Sequence, residues 1–379
     1  MENRKGVIII GGHVQGLGIA RILGKLKIPV VIMDATSLNL ARHSKYCSSF
    51  VKYNKDNLYQ SLLDLGKKGF FKDYIVFPTN DLHVGILSKN KEELSSYFTI
   101  ASDDWEVVEK CYNKRETYTI AKEIGIPIAN TWMPNSLQEL ERLEINYPVI
   151  IKPAVMYSFY EKLKKKVFVC NNKKELIENY QLAIDVIPPK EIIVQAIIEG
   201  GSQHLYSACF LRQKSGVIQS FVGRRARQHP PDFGNATTFA QIVQNDELVE
   251  LSSQFLKHIN YQGVCEVEYK YDESSKEYKL LEINPRTWKW HSIAEKANVN
   301  LLENYYNLLQ NIPLKLGKTI RNANFRHLLT DIPTVLKYKR LGIYSKHVSY
   351  PVKYAVWDKD DLKPAFYELL YLPSFILKR

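Results

Sequence analysis

The sequence predicts an α/β protein, with a parallel-sheet unit at its N-terminus and a longer α+β remainder. Three observations carry that expectation. Residues 6–18, GVIIIGGHVQGLG, form an apolar strand running into a glycine-rich turn and a helix, the opening of a parallel α/β unit. Residues 147–153 (YPVIIKP) and 191–198 (EIIVQAII) are apolar runs of buried-strand length. Residues 264–271 and 278–283 alternate apolar and polar side chains around the polar turn Asp272-Glu273-Ser274-Ser275, the pattern of an antiparallel hairpin.

The totals narrow the class. A chain of 379 residues holds two or three packed units, each with its own core. No run of eighteen apolar residues exists, so no transmembrane helix is expected. The apolar run in MENRKGVIII is too short for a signal peptide and lacks a small-residue cleavage site. Cys47, Cys111, Cys170, Cys209 and Cys265 are isolated and without CxxC spacing. They point to a reducing cytoplasm and away from a zinc site. The net charge of +12 fits nucleic acid, an anionic membrane, or a site for nucleotide and acidic substrates. No helix-turn-helix, zinc-finger or RNP pattern accompanies it, so nucleic acid is not the expected partner.

In chain order, a helix over 17–26 and a strand over 29–34 continue the first unit. Gly11, Gly12, Gly16 and Gly18 miss the G-x-G-x-x-G spacing, which leaves nicotinamide binding as an alternative only. A strand over 74–77 leads to Asp81, read as a helix N-cap. Asp81 and His13 share the carboxyl edge of the sheet, where ligands bind in such folds, and both read as structural. A helix over 102–114 closes the unit, and another over 117–124 ends at Gly125-Ile126-Pro127. Ser136-x-x-Glu139 is a capping box. Lys152, near the end of a buried strand, needs an anionic partner or an exit to solvent. Helix 173–187 and strand 191–198 follow. Strands 205–211 and 217–221 lead to Arg224, Arg225 and Arg227, placed between strands. These read as a solvated edge or as a clamp for a carboxylate or γ-phosphate, and the clamp is expected for Arg225 and Arg227. Helix 246–259 carries an apolar stripe of Leu248, Leu251, Phe255 and Ile259. A closing helix spans 300–309. The tail, 312–379, mixes Lys and Arg with aromatic and aliphatic residues. It reads as a peripheral membrane or partner contact, or as a plain C-terminal cap.

The hairpin carries the chemistry. Period-2 alternation puts Glu266 and Glu268 on one face, and Glu282 and Asn284 share a side of the second strand. Buried carboxylates are costly unless paired or bound to a cation. Glu268, Glu282 and Asn284 are hard oxygen ligands of the kind Mg²⁺ takes, with positions left for phosphate oxygens. Arg286 beside them suits a phosphoryl group in transfer.

Gly263-x4-Glu268 followed by Glu282-Ile283-Asn284-Pro285-Arg286, preceded in order by Lys114 with GIP at 125–127 and by Lys152, resembles the ATP-grasp superfamily. Its members are mostly carboxylate–amine ligases, with the carbamoyl-phosphate synthase large chain and biotin carboxylase among them. The resemblance covers roughly residues 6–310 and implies a Rossmann-like pre-ATP-grasp domain (1–104), then a two-lobed α+β ATP-grasp domain. Its N-terminal lobe would be 105–190 and its C-terminal lobe, with the metal site, 191–310. A basic, aromatic extension follows at 311–379.

The resemblance also implies roles. Lys114 and Lys152 contact ATP phosphates, Gln195, Ala196 and Ile198 line the adenine, and Glu199 or Gln203 takes the ribose hydroxyls. Glu268, Glu282 and Asn284 hold Mg²⁺, with Mn²⁺ as a substitute. Arg286 stabilises developing charge while ATP converts a small-molecule carboxylate to an acyl phosphate that an amine attacks. Two stretches depart from the common pattern. The lid, 154–166 (AVMYSFYEKLKKK), lacks glycine and offers Tyr157, Phe159, Tyr160, Lys162, Lys164, Lys165 and Lys166. Residues 287–291, Thr-Trp-Lys-Trp-His, place large aromatics where relatives have small residues, and are expected to narrow the acceptor pocket. A small-molecule kinase, a dehydrogenase and a membrane-associated scaffold stand as alternatives.

Overall fold

The computed structural model describes residues 4–155, 159, 162–163, 165–231, 234, 236–317 and 320–377, organised around three sheets. The first contains β1 (Val7–Ile10), β2 (Val30–Asp34), β3 (Cys47–Lys52), β4 (Ile75–Pro78) and β5 (Thr99–Ile100), all parallel, in the order β3-β2-β1-β4-β5. Helices α1 (Val14–Lys25), α2 (Leu58–Lys67), α3 (Asp81–Lys89) and α4 (Lys91–Leu94) connect them. All four residues of β1 are buried, because a central parallel strand is covered on both faces. Val7 and Ile9 enter one core while Ile8 and Ile10 enter another, the alternation a strand imposes.

Helix α1 begins at Val14, earlier than the expected Leu17. The turn before it needs its glycines for space. Gly11 has φ +97°, and a Cβ at Gly16 would sit 2.0 Å from the Gly11 carbonyl oxygen. Asp34 accepts the Gly12 N–H at 2.7 Å and the Thr36 N–H at 2.9 Å, so it ties down the turn.

Helices α5 (Trp105–Tyr112) and α6 (Lys114–Glu123) lead to a small antiparallel sheet, ordered β6-β9-β7-β8. It comprises β6 (Thr131–Trp132), β7 (Val149–Pro153), β8 (Phe168–Cys170) and β9 (Ile192–Ala196), backed by α7 (Leu137–Glu141) and α8 (Lys173–Ile184). The expected division at 190/191 would cut this sheet. β9 pairs with both β6 and β7, so the small lobe runs on through Ala196.

The third sheet has the order β14-β13-β10-β11-β12-β15-β16. Its strands are β10 (Leu205–Gln213), β11 (Gly216–His229), β12 (Ala236–Val243), β13 (Gly263–Asp272), β14 (Glu277–Asn284), β15 (Asn324–Arg326) and β16 (Val352–Tyr354). Helices α9 (Asp246–His258), α10 (Leu301–Leu309), α11 (Leu328–Arg340) and α12 (Lys363–Leu377) complete the chain.

One expectation changes here, and the plain-cap alternative for the tail is met. The arginines lie inside β11 at a bulge, because β11 runs eight residues past the expected end at 221. The extension from 311 is also part of the fold. It adds β15 and β16 to the large sheet, and Asp361 pairs with Arg21 of α1 at 2.9 Å with both side chains buried.

Trp288 and Trp290 do not line an open pocket. They are 2% and 1% exposed, meet edge-on at 5.6 Å, and belong to the core that joins α1 to the large sheet. A Cβ on Gly223 would lie 2.4 Å from the Trp290 ring, so that strand position is kept small to admit the indole.

Candidate active site

The register of β13 and β14 sets the site. Glu268 faces Glu282 and Glu266 faces Asn284, with one extra residue of β14 accommodated next to Glu268. The four side chains therefore share one face, as alternation predicts. Asn284 Nδ2 donates to Glu266 Oε2 at 3.1 Å and to Glu268 Oε1 at 3.0 Å, bridging the two acids.

Cations surround these carboxylates. Arg225, from β11, donates to Glu268 and to Thr237 Oγ1 at 2.9 Å. Lys114, at the start of α6, meets Glu282 at 3.1 Å. Arg286 donates through Nε to Asp81 at 2.6 Å and through NH2 to Asn284 Oδ1 at 2.9 Å. Burial pushes the Glu268 carboxyl up, and Arg225 opposes that only in part. Burial acts the same way on Glu282, but Lys114, together with Arg225 and Arg286, outweighs it and holds the group well below the usual carboxylate range.

Lys152 has a different setting. Its Nζ donates to Tyr118 Oη at 2.7 Å and Gln195 Oε1 at 2.7 Å and lies 4.9 Å from the Tyr118 ring centroid. Burial lowers its pKa to about 7, and the nearby Lys114 charge adds to the effect. Tyr118 in turn donates to the Leu281 carbonyl at 2.5 Å, tying α6 to the metal-side hairpin. Gln195, expected at the adenine, is bonded on both ends of its amide. Its amide nitrogen donates to Thr131 Oγ1 at 2.8 Å, so the side chain is oriented to receive Lys152.

At the lobe junction, the Ala196 N–H donates to the Asn130 carbonyl at 2.9 Å, and the Ile198 carbonyl accepts from Lys270 at 2.6 Å. Glu199 and Gln203 are exposed at the rim. Of the lid lysines, Lys166 lies close enough to Glu282 and Arg225 to feel both charges. Lys162 turns to the Val186 carbonyl at 2.8 Å, and Lys165 lies over the Phe168 ring. Phe159 is a buried anchor packed edge-on against Phe168. Tyr157, Tyr160 and Lys164 lie outside the described residues.

Arg227 departs from its expected role. It forms a bidentate pair with Asp331, at 2.8 Å for both bonds, and its guanidinium lies 4.1 Å from the Phe239 ring centroid. Asp331 is fully buried and also accepts from Arg326 and Thr238, so Arg227 is committed to holding α11 on the large sheet. Of the two, Arg225 is the one on the Glu268 face.

Asp81 is corrected as well. Asn80 is the N-cap, accepting the His83 N–H at 2.9 Å, and Asp81 is the first helical residue with its carboxylate on Arg286. Its place at the carboxyl end of β4 was the available signal for that role. His13 is open to solvent yet walled by protein. Burial lowers its pKa, with Asp34, Lys289 and Arg286 as its charged surroundings.

The donor set fits a divalent cation. Two carboxylates and an amide oxygen on one face are hard ligands, and phosphate oxygens would complete the shell. Among the described residues, no three His, Cys, Asp or Glu side chains are gathered to hold a metal by themselves.

Comparison with known proteins agrees with this geometry. The model of the carbamoyl-phosphate synthase L chain ATP-binding domain matches residues 236–316, the stretch holding Glu268, Glu282, Asn284 and Arg286. D-aspartate ligase of Enterococcus faecium (strain Aus0004) is 25% identical over 321 residues, spanning 79% of this chain and 76% of that protein. The L-amino acid ligase from Bacillus licheniformis superposes with a TM-score of 0.64 at 16% identity, covering 86% of this chain and 80% of the other. An N5-carboxyaminoimidazole ribonucleotide synthetase, solved as its ADP complex, gives 0.68 at 15% identity, covering 92% and 90%. At these identities the structural likeness speaks for the fold. Fold, motif order and sequence likeness agree: this chain has the architecture of the ATP-grasp superfamily and is similar to its carboxylate–amine ligases.

Proposed function

We propose that the chain is an ATP-dependent ligase that activates a small-molecule carboxylate as an acyl phosphate and joins it to an amine, releasing ADP and phosphate. The observation that carries this reading is the placement of Glu268, Glu282 and Asn284 on one face, ringed by Lys114, Arg225 and Arg286. Phosphoryl transfer needs little covalent help from protein. It needs positioning and charge stabilisation, and this corner supplies both.

Lys114 and Lys152 hold phosphate oxygens, and Tyr118 and Gln195 aim the Lys152 ammonium. The Ala196 N–H and the Ile198 carbonyl are bonded to Asn130 and Lys270, which among the described residues leaves the Ala196 carbonyl and the Ile198 N–H as the pair for the adenine edge. Glu199 or Gln203 reaches the ribose. Glu268, Glu282 and Asn284 hold Mg²⁺, or Mn²⁺ in its place, which when bound neutralises charge on the transferred phosphoryl group. Arg286, fixed between Asp81 and Asn284, meets the charge that develops on the acceptor side, and Arg225 backs Glu268. Asp81 gives the N-terminal domain a direct hold on the catalytic arginine. The buried free thiols agree with a reducing, cytoplasmic setting.

The test is an ADP-release screen over amino acids and amines with Mg²⁺, with the product identified by mass. An amide with ADP supports the ligase. A phosphoester would assign the kinase reading instead.

A further inference from the structure

Helix α12 docks on the fold by one side only. Tyr367 stacks on His43 with ring centroids 3.4 Å apart, and Tyr371 Oη meets His43 Nε2 at 2.8 Å. Glu368 meets His327 Nε2 at 2.5 Å, pinning the helix to the start of α11. The other side carries Leu362, just before the helix, then Phe366, Leu369 and Leu370, exposed by 50, 65, 62 and 57%. Their spacing of four, three and one puts them on one face of a 3.6-residue period, with no charged residue among them. Large exposed apolar faces of this kind mark contact surfaces.

The charge of the C-terminal segment identifies the partner. Residues 312–379 hold thirteen Lys and Arg against five Asp and Glu, a net +8 of the chain's +12. Lys337, Lys339 and Arg340 are exposed in the last turn of α11, and Lys359 and Lys363 are exposed at the entry to α12. The sequence after α12 ends Lys378-Arg379. A second copy of the chain is a poor cover, because a two-fold interface would bring two strongly basic segments together. An anionic lipid surface takes both features at once, the apolar face at the acyl boundary and the cations among the headgroups.

We propose that α12 is a membrane-surface anchor whose apolar face enters the interface of an anionic bilayer while exposed lysines and arginines of the C-terminal segment meet lipid phosphates. No helix among the described residues is long and apolar enough to cross a membrane, so the contact is peripheral. This contact stands independently of the ligase reaction.

The experiment is co-sedimentation of the full chain with vesicles of phosphatidylcholine alone or mixed with phosphatidylglycerol. The expected result is binding to the mixed vesicles, weakened about tenfold by molar salt. Phe366→Ser/Leu369→Ser/Leu370→Ser is expected to lower that binding about tenfold or more at an unchanged unfolding temperature, since all three side chains are exposed. A second variant, Lys337→Glu/Lys339→Glu/Arg340→Glu, reads the charge contribution without touching α12 and is expected to flatten the salt dependence. Four results would overturn the proposal: no binding to anionic vesicles, equal binding to both vesicle types, wild-type binding by both variants, or a lipid-free dimer in sedimentation velocity that the serine variant abolishes.

Discussion

The two sides of the nucleotide cleft handle buried charge in opposite ways. At the β13–β14 corner every member of the candidate metal set has a protein cation beside it: Arg225 on Glu268, Lys114 on Glu282, and Arg286 on the Asn284 amide oxygen. In the small lobe, Lys152 is buried, and among the described residues its hydrogen-bond partners are a phenol and an amide. The corner is compensated before any ligand arrives, whereas Lys152 has no ion-pair partner among the described residues and feels Glu282 only as a neighbouring charge. An uncompensated buried ammonium is a strong attractor for anionic oxygen, and phosphate supplies the missing charge. On the proposed ligase reading, the corner would exchange protein cations for a metal and phosphates, and its ion pairs would be the place where binding reorganises the site.

The largest effect is expected at the corner. Glu282→Ala removes a ligand and strands Lys114, so turnover in the ADP-release assay falls by about a thousandfold or more while circular dichroism stays native. Unaltered activity would remove the metal assignment. Lys152→Met is expected to weaken ATP binding by about a hundredfold, read by calorimetry, without lowering the unfolding temperature. A destabilised Lys152→Met protein would show that the ammonium is already compensated and would break the contrast between the two sides. Tyr118→Phe keeps the ring and removes the hydroxyl that receives Lys152 and ties Leu281. A loss of about tenfold in kcat/KM is expected, with most of it in KM for ATP.

The smallest effect is a proton. The folded pKa of Lys152 is lowered to about 7 from an ordinary 10.5, so between those values the free protein carries the lysine neutral. Phosphate contact restores the charge, hence ATP binding takes up a proton in that window and the uptake fades below pH 7. The linkage sign for stability follows. The unfolded chain holds that proton up to pH 10.5, so burial of the neutral amine costs stability increasingly as pH falls from 10.5 to 7 and no further below that. Calorimetry in buffers of different ionisation heat at pH 8.5 measures the uptake, and Lys152→Met should abolish it.

Local pattern made much of the site legible, and distance hid the rest. Period-2 alternation in residues 264–271 and 278–283 placed Glu268, Glu282 and Asn284 together, and a lysine in an otherwise apolar strand marked Lys152. The partners that orient them come from far along the chain. Asp81 reaches Arg286 across 205 positions, and Asp331 reaches Arg227 across 104. No local pattern records such a pair, so Arg225 and Arg227 looked alike although one faces the corner and the other locks α11. The same cause hid the extent of β11. Charged residues end a strand by propensity, but here Arg225 and Arg227 have buried acids waiting on other elements. The Trp288–Trp290 pair was misplaced because the seat of Trp290 depends on Gly223, 67 residues upstream.

The most direct measurement is a crystal structure with Mg²⁺ and a non-hydrolysable ATP analogue. The account predicts a cation bridging Glu268, Glu282 and Asn284 to the phosphates, Lys114 released from Glu282 onto a phosphate oxygen, and Lys152 still between Tyr118 and Gln195. A nucleotide bound at the Gly11–Gly12 turn, with Glu282 still paired to Lys114 and no cation on the hairpin, would contradict it.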